Sequence, residues 1–216
     1  MKQGPSGCRC EVCPLRDHPD GPVLPETRSG ASLVLVGESP SASAVKAGRT
    51  FVGPSSELLE GFPASRSEMH LTTAVLCPAP NNNMKAFLEV LKKRNSRIRA
   101  QNAAAKKSHQ TELKVIRGQV KELERILKSP KTSDDIRTLA KKELEELLEK
   151  DVSPPAATPT IPTPQKCCRP RLMEEVENAA SRGVRHIMTF GKAPLESLLG
   201  GSQSVAKMRG TLVECE

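Results

Sequence analysis

Short apolar runs separated by helix-like or turn-like sequence dominate both ends of this chain. Leu33–Val36 form one run, residues 70–77 (HLTTAVLC) a second and residues 184–191 (VRHIMTFG) a third. Runs of this length with β-branched residues are typical of buried strands. A fourth strand is predicted to begin near Met208. Strands that alternate with helix-like sequence predict an α/β fold.

The middle of the chain follows a helical pattern instead. Five apolar residues recur at heptad spacing: Leu113, Ile116, Val120, Leu123 and Leu127. Ser129-Pro130 ends this helix, and a further apolar stripe predicts a second one: Ile136, Ala140, Leu144 and Leu147. We therefore predict an inserted helical hairpin or coiled coil over 84–151, followed by an extended Pro/Thr linker over 152–165.

Positive charge is concentrated in the predicted insert. The formal net charge is +8, and residues 85–150 hold 18 Lys and Arg against 10 Asp and Glu. A solvated helical insert and a contact with nucleic-acid phosphate both explain this excess. No apolar run approaches the length of a membrane span, so no membrane partner is expected. The first residues lack the apolar core of a signal peptide, which predicts a reducing, cytoplasmic location.

Four of the seven cysteines have the spacing of metal ligands. Cys10 and Cys13 form a Cys-x-x-Cys pair, while Cys77 and Cys168 are distant, and each precedes polar sequence that contains proline. Such a set would tie three remote parts of the chain to one point. Thiolate ligation suits an iron–sulfur cluster or a structural zinc, and the spacing leaves both open.

Six motifs in this sequence resemble the iron–sulfur uracil-DNA glycosylases and their phage and bacterial relatives. They are CEVCPLR, VGESP with GRTFVGPSSELL, AVLCPAPNNN, CRPRLMEEV, TFGKAPLESLLG and MRG, in the order of the family. The resemblance implies a three-layer α/β sandwich around a central, mostly parallel four-stranded sheet, formed by residues 1–83 and 166–216. It also implies a DNA repair enzyme that flips a damaged base, uracil in the first place, and hydrolyses its N-glycosidic bond.

The resemblance also implies a [4Fe–4S] cluster, with zinc as the alternative. The ligands it implies are Cys10, Cys13, Cys77 and Cys168. Cys8 and Cys167 are the competing candidates, because each lies beside a favoured ligand. Cys10 is preferred because Cys10-x-x-Cys13-Pro-Leu matches the family pattern, and Cys168 because Cys-x-Pro-x-Leu places it at the head of a helix. The implied role of the cluster is structural.

The substrate site implied by the resemblance lies in and near the loop after the first strand. Gly37, Glu38, Ser39 and Pro40 belong to this loop, whose backbone N–H groups would stabilise the departing uracil anion. Phe51 matches the aromatic residue that stacks on the flipped base, with a plain core phenylalanine as the alternative. Glu38 is the candidate to orient or activate the attacking water, with a solvated loop carboxylate as the alternative.

Two departures from the family pattern leave the activity open. Thr73 stands where many members have an asparagine that pairs with the uracil edge, and a hydroxyl cannot reproduce that two-point contact. The histidine motif that ends the family pattern lies beyond the strand near Met208, and because this chain stops at Glu216 we expect a truncated sequence.

The leading hypothesis is base excision from single- or double-stranded DNA by a monomer in the cytoplasm, or in the host cytoplasm if a phage encodes it. The alternatives are a non-catalytic iron–sulfur DNA-binding module of a phage replication or repair protein and a zinc-stabilised nucleic-acid-binding protein.

Overall fold

The computed structural model describes residues 5–62, 64–150 and 152–213, without the side chains of Ser55 and Leu58. The strands in this part of the chain are β1 (Leu33–Gly37), β2 (Met69–Thr73) and β3 (His186–Thr189). The α-helices are α1 (Ala42–Ala47), α2 (Glu57–Glu60), α3 (Met84–Lys128), α4 (Asp134–Glu149), α5 (Pro164–Ser181), α6 (Lys192–Leu199) and α7 (Val205–Met208). Short 3-10 helices cover Cys10–Val12, Gly53–Ser56, Arg66–Glu68 and Pro80–Asn82.

The chain divides into two compact units. Residues 93–160 form the second unit, and the described residues up to Lys92 and from Ile161 onward form the first. The first unit contains all three strands. Along the described residues, no helix combines the length and the apolar character that crossing a bilayer requires.

The sheet of the first unit is parallel, with β1 at its centre and the strand order β2-β1-β3. Leu33 is in register with Met69 on one side and with His186 on the other. Because all three strands run in the same direction, their carboxyl ends lie at one edge. In open α/β sheets this edge is where ligands bind, and the α/β, parallel part of the prediction is confirmed.

Apolar side chains cover both faces of the sheet. Val34 and Val36 pack with Leu172 of α5 on one face, and Leu35 packs with Phe51 and other apolar residues on the opposite face. Alternate residues of β1 therefore enter different layers, which is the pattern of a strand buried on both sides. This burial holds the loop after β1 at a fixed position.

Two sequence-based expectations about the strands were wrong in detail. The second strand, predicted over 70–77, ends at Thr73, because the next two residues turn and donate their backbone N–H groups to Gly37 and Glu38. The fourth strand expected near Met208 is not found in the part of the chain that the structure describes. Met208 instead ends α7, and a turn follows at Gly210, whose φ of +71° interrupts an extended run.

The second unit consists of most of α3, all of α4 and the segment that follows α4. The five heptad residues from Leu113 to Leu127 are buried or half-buried, as the spacing predicts. On α4, however, Ile136 is 51% exposed and Arg137 takes the inward position beside Ala140. Lys150 pairs with Glu112 at 3.3 Å, so the chain after α4 lies against the middle of α3.

The Pro/Thr segment is extended but attached. It has no regular structure between Val152 and Thr163, where α5 is capped by the Thr163 hydroxyl. Asn102 of α3 donates to the carbonyl of Thr158 at 2.8 Å and accepts from its N–H at 3.0 Å. This two-point contact fixes the segment along α3.

Candidate metal centre and base-binding site

The cysteine-bearing segments meet in the first unit. Three thiols are buried in one cluster with Leu15 and Val75, and two more lie against it, half-buried. The buried three are Cys13, Cys167 and Cys168, and the others are Cys8 and Cys77. The backbone N–H of Arg9 donates to the carbonyl of Cys167 at 2.9 Å, which joins the N-terminal loop to α5. Chain segments far apart in sequence therefore supply sulfur atoms to one small region.

Hydrogen bonds connect several of these thiols to one another. The hydrogen bond from Cys8, together with the backbone N–H of Leu76 and the Arg171 guanidinium, lowers the pKa of Cys168 to about 6 against the effect of burial. The Cys168 partner raises the pKa of Cys8. Burial is the main cause that raises the pKa of Cys77 to about 12, and the nearby thiols add to it. Cys168 is therefore the thiol most readily ionised for ligation.

Cys10 belongs to the same region. It is the first residue of the short 3-10 helix that precedes Cys13. The backbone N–H of Cys13 donates to the carbonyl of Cys10 at 3.2 Å. Its pKa is raised by burial and by Cys168. Cys13 forms a hydrogen bond with Cys167, and burial raises the pKa of Cys13 to about 12.

The donor set has the chemistry of an all-sulfur centre. No three or more Cys, His, Asp or Glu side chains within residues 5–62, 64–150 and 152–213 are placed to hold a single metal ion. A tetrahedral zinc with four sulfur ligands holds them at about 2.3 Å from one point, and the described thiols are not gathered in that way. Thiolate ligands suit an iron–sulfur cluster as well as zinc, so the chemistry of these side chains leaves both open.

A buried charged network lies directly beside the thiols. Arg171, 4% exposed, donates to the Glu175 carboxylate at 2.9 Å, to the Thr72 hydroxyl at 2.8 Å and to the Thr73 carbonyl at 2.6 Å. His70 is also buried, with its Nε2 atom 3.5 Å from Glu175. Burial would raise the pKa of Glu175, but His70 and the Arg171 guanidinium lower it overall. The network connects α5 to the carboxyl end of β2.

Gly37, Phe51 and Thr73 lie together at the carboxyl edge of the sheet. A Cβ atom at Gly37 would be 3.1 Å from the Phe51 ring and 3.4 Å from the Thr73 methyl group. Glycine at this position therefore allows the ring to approach the end of β1 closely. The Thr73 hydroxyl donates to the carbonyl of Val75 at 2.9 Å, so its proton is used inside the loop.

Phe51 is held in an uncommon conformation. Its φ is +51°, a region that bulky residues rarely adopt. Arg66 donates to the Phe51 carbonyl at 3.0 Å and to the Thr50 carbonyl at 2.6 Å, and it also pairs with Glu26. The ring packs edge-to-face on Phe190 at a centroid distance of 6.1 Å. Although 7% exposed, Phe51 also lines an open groove of about 580 Å³.

Glu38 and the rest of its loop lie beside the start of α6. The Glu38 carboxylate is exposed, and its Oε1 atom accepts from the backbone N–H groups of Lys192 at 3.0 Å and Ala193 at 3.4 Å. The side chain thus caps a helix N-terminus. Ser39 is half-buried and Pro40 is buried.

Sequence reasoning missed the Arg171 network and the support that Arg66 gives to Phe51. Arg171 and Glu175 are four residues apart, a spacing that indicates an ion pair on one helix face. Nothing in that spacing indicates that the pair is buried against β2. Arg66 contacts Glu26 across 40 residues, and no local pattern predicts such a contact.

Comparisons with known proteins find a similarity over part of the chain. No model of a protein family matches the chain. A type-4 uracil-DNA glycosylase of Pyrobaculum aerophilum is 35% identical to this chain over 77 residues, which are 34% of this chain and 39% of the relative. The match thus spans about two fifths of that relative's length. Over this third of its sequence, the chain is similar to a uracil-DNA glycosylase. The described part of the chain has an α/β fold with a parallel sheet.

Proposed function

We propose that this protein is a uracil-DNA glycosylase-like repair protein that flips a damaged base and hydrolyses its N-glycosidic bond. The observation that carries the proposal is the close approach of Phe51 to Gly37 at the carboxyl edge of a parallel sheet. An aromatic ring beside a loop at this edge suits an everted base, which must be stacked and held while its bond to the sugar breaks. The similarity to a glycosylase supports the same activity.

Phe51 would provide the stacking surface in this mechanism. The groove that it lines, about 580 Å³ in volume, is within the usual size range of small-molecule sites. Arg66 fixes the backbone of Phe51 through two carbonyl contacts, so the ring is positioned before the base arrives. Preorganisation of this kind lowers the cost of binding.

The loop after β1 would act on the departing base. Water adds its oxygen to the sugar C1′ atom while the bond from C1′ to the base nitrogen breaks, and the base leaves with the bonding electrons. Backbone N–H groups of Glu38, Ser39 and Ser41 are the donors available in this loop for the resulting anion, since Pro40 has none. Glu38 would orient the water through its second oxygen, Oε2, and accept the proton that the water loses.

Cys10, Cys13, Cys77 and Cys168 are the residues proposed to hold a [4Fe–4S] cluster. When bound, the cluster would supply structural bracing and no step of the hydrolysis. Arg171 contacts Cys168 and donates to the Thr73 carbonyl, so a centre at the thiols would be linked to the base-binding edge through one buried side chain.

A second candidate function is a non-catalytic, iron–sulfur DNA-binding module. Two observations favour it. The Thr73 hydroxyl donates to Val75 and is not free to pair with a base edge, and one oxygen of Glu38 is used to cap α6. Both side chains that would recognise uracil or act on water thus have structural roles.

The full chain, purified with its bound iron, should be incubated with single- and double-stranded DNA that contains one uracil. Alkaline cleavage at the resulting abasic site reports excision. We expect wild-type protein to cleave at the uracil and Phe51→Ala to bind iron but leave the strand intact. Unchanged cleavage by Phe51→Ala would remove Phe51 from the site, and DNA binding by wild type without cleavage would favour the non-catalytic module.

Thr73→Asn separates the two candidates further. An amide has both a donor and an acceptor for the uracil edge, which the threonine hydroxyl cannot match. If the site is catalytic, we expect this variant to excise uracil faster than wild type, with a larger preference over thymine. If the module is non-catalytic, the asparagine leaves the strand uncut.

A further inference from the structure

Helix α3 carries a stripe of exposed cations along its length in the second unit. Eight side chains make up this stripe, which we call the basic stripe: Arg99, Lys106, Lys107, Lys114, Arg117, Lys121, Arg125 and Lys128. At 3.6 residues per turn they project within a sector of about 100°. All eight are exposed. The basic stripe therefore lies along one side of α3, between Arg99 and Lys128.

The position of the basic stripe follows from which side of α3 is buried. The inward residues of this helix, which include Asn102, Leu113, Leu123 and Leu127, are buried or half-buried. Their sector lies next to the basic stripe on the helical wheel. Because α3 is fixed by this apolar side, the cations are held in one direction on a rigid rod about 44 Å long, at 1.5 Å per residue.

Few carboxylates neutralise the basic stripe. Arg125 pairs with Glu122 at 3.8 Å, an exposed contact that contributes little. For the other seven cations, no described carboxylate lies within ion-pair distance. The same sector carries one acidic residue at its edge, Glu124, along with small or neutral residues such as Ala103 and Gln110. The charge is thus available to an external anion.

We propose that the basic stripe is a nucleic-acid-binding surface that binds the phosphate backbone independently of any base in the candidate site. Its length, its single sign of charge and its lack of exposed aromatic residues suit a long polyanion with closely spaced charges. An anionic membrane fits less well. A membrane-surface helix places large apolar side chains beside its cations, and in α3 the main apolar side is turned inward.

The test measures the affinity of the full protein for a uracil-free duplex of about 30 base pairs, longer than the basic stripe at about 3.4 Å per base pair. Fluorescence anisotropy is recorded at several salt concentrations for wild type and for the triple variant K106Q/K107Q/K114Q. Each lost phosphate contact reduces the salt slope by about 1. We expect the slope of log affinity against log salt to fall by about 3 for the triple variant.

A matched variant controls for net charge. K131Q/K141Q/K142Q removes the same three charges from exposed lysines outside the basic stripe, and we expect its slope to stay within about 1 of wild type. Far-ultraviolet circular dichroism confirms that both variants keep the helix. Equal slopes for the two triple variants, or a wild-type slope in K106Q/K107Q/K114Q, would overturn the proposal.

Vesicles that contain phosphatidylserine test the other polyanionic surface. Stronger wild-type binding to these vesicles than to DNA, abolished in K106Q/K107Q/K114Q, would assign the basic stripe to membranes and refute the proposal. Since the probe DNA lacks uracil, the result does not depend on base excision. An inactive glycosylase site with a stripe-dependent salt slope would still support this inference.

Discussion

Replacing Arg171 by methionine tests whether the buried network holds β2 to α5. The guanidinium makes contacts of 2.6–2.9 Å with Glu175, Thr72 and Thr73. Methionine fills similar space but leaves the Glu175 carboxylate without its cation. Removal of one partner from a buried ion pair costs about 3–5 kcal/mol. We expect Arg171→Met to lower the free energy of opening of this region by that amount.

Hydrogen exchange followed by mass spectrometry is a suitable assay, since the chain has no Trp or Tyr to report unfolding by fluorescence. Peptides that cover β2 and α5 should exchange about two to four decades faster in Arg171→Met, at about 1.36 kcal/mol per decade. Arg169→Met is the matched control on the same helix. Arg169 is exposed and donates to the Ser197 carbonyl at 2.7 Å, so its loss should cost about 1 kcal/mol.

The dependence on pH has a definite sign. The pKa of Glu175 is lowered in the folded protein. The ionised carboxylate therefore contributes fully to stability above the ordinary pKa of 4.5, and this contribution is lost as the pH falls through the lowered pKa. In Arg171→Met, loss of the guanidinium leaves His70 to oppose the effect of burial, so the pKa rises and the carboxyl takes up a proton at higher pH. The difference between wild type and variant in the free energy of opening should therefore be largest near neutral pH and decrease in acid.

A double variant refines the result. Arg171→Met with Glu175→Leu removes both charges and should recover most of the loss, because an apolar pair replaces a buried ion pair at little cost. A change below about 1 kcal/mol in Arg171→Met, or an equal effect of Arg169→Met, would refute the role assigned to the network.

Three further predictions concern the loops around the candidate site. Gly37→Ala should displace the Phe51 ring, with a loss of about 1–3 kcal/mol in thermal unfolding and a raised KM for uracil-containing DNA; an unchanged KM would contradict the contact. Gly191→Ala should lower Tm more than Gly210→Ala, because both have positive φ but the new methyl group would meet the Glu38 carboxylate at position 191 alone. Cys77→Ser should lose iron and sulfide on purification, while Cys8→Ser keeps both; iron loss from Cys8→Ser would make Cys8 a ligand.

The sequence predicted those parts of the fold that local pattern determines. The apolar run at Leu33 gave the central strand, and the heptad residues around Leu123 gave the long helix. The end of β2 at Thr73 was not predictable, because Val75 and Leu76 continue the apolar run, and the backbone N–H groups of Ala74 and Val75 donate to the carbonyls of Gly37 and Glu38, which are distant in sequence. Such a choice depends on partners that are distant in sequence.

The candidate site shows the same division. The cysteine spacing predicted Cys13 and Cys168 as metal ligands, and both thiols are buried in one cluster. The proximity of Phe51 to Gly37 was expected only through resemblance to a family, not through the residues themselves. The capping role of Glu38 joins residues more than 150 positions apart, and only the folded sheet brings that carboxylate to α6.

The attachment of Thr158 to Asn102 has a consequence for how this segment can vary. Both hydrogen bonds use the backbone of Thr158, so many side chains could replace threonine there, with proline excluded because it lacks the N–H group. An extended chain advances about 3.1 Å per residue. Deleting one residue between α4 and Thr158 would shift the contact by about that distance. Related chains should therefore conserve the number of residues between α4 and Thr158 more strictly than the identity of those residues.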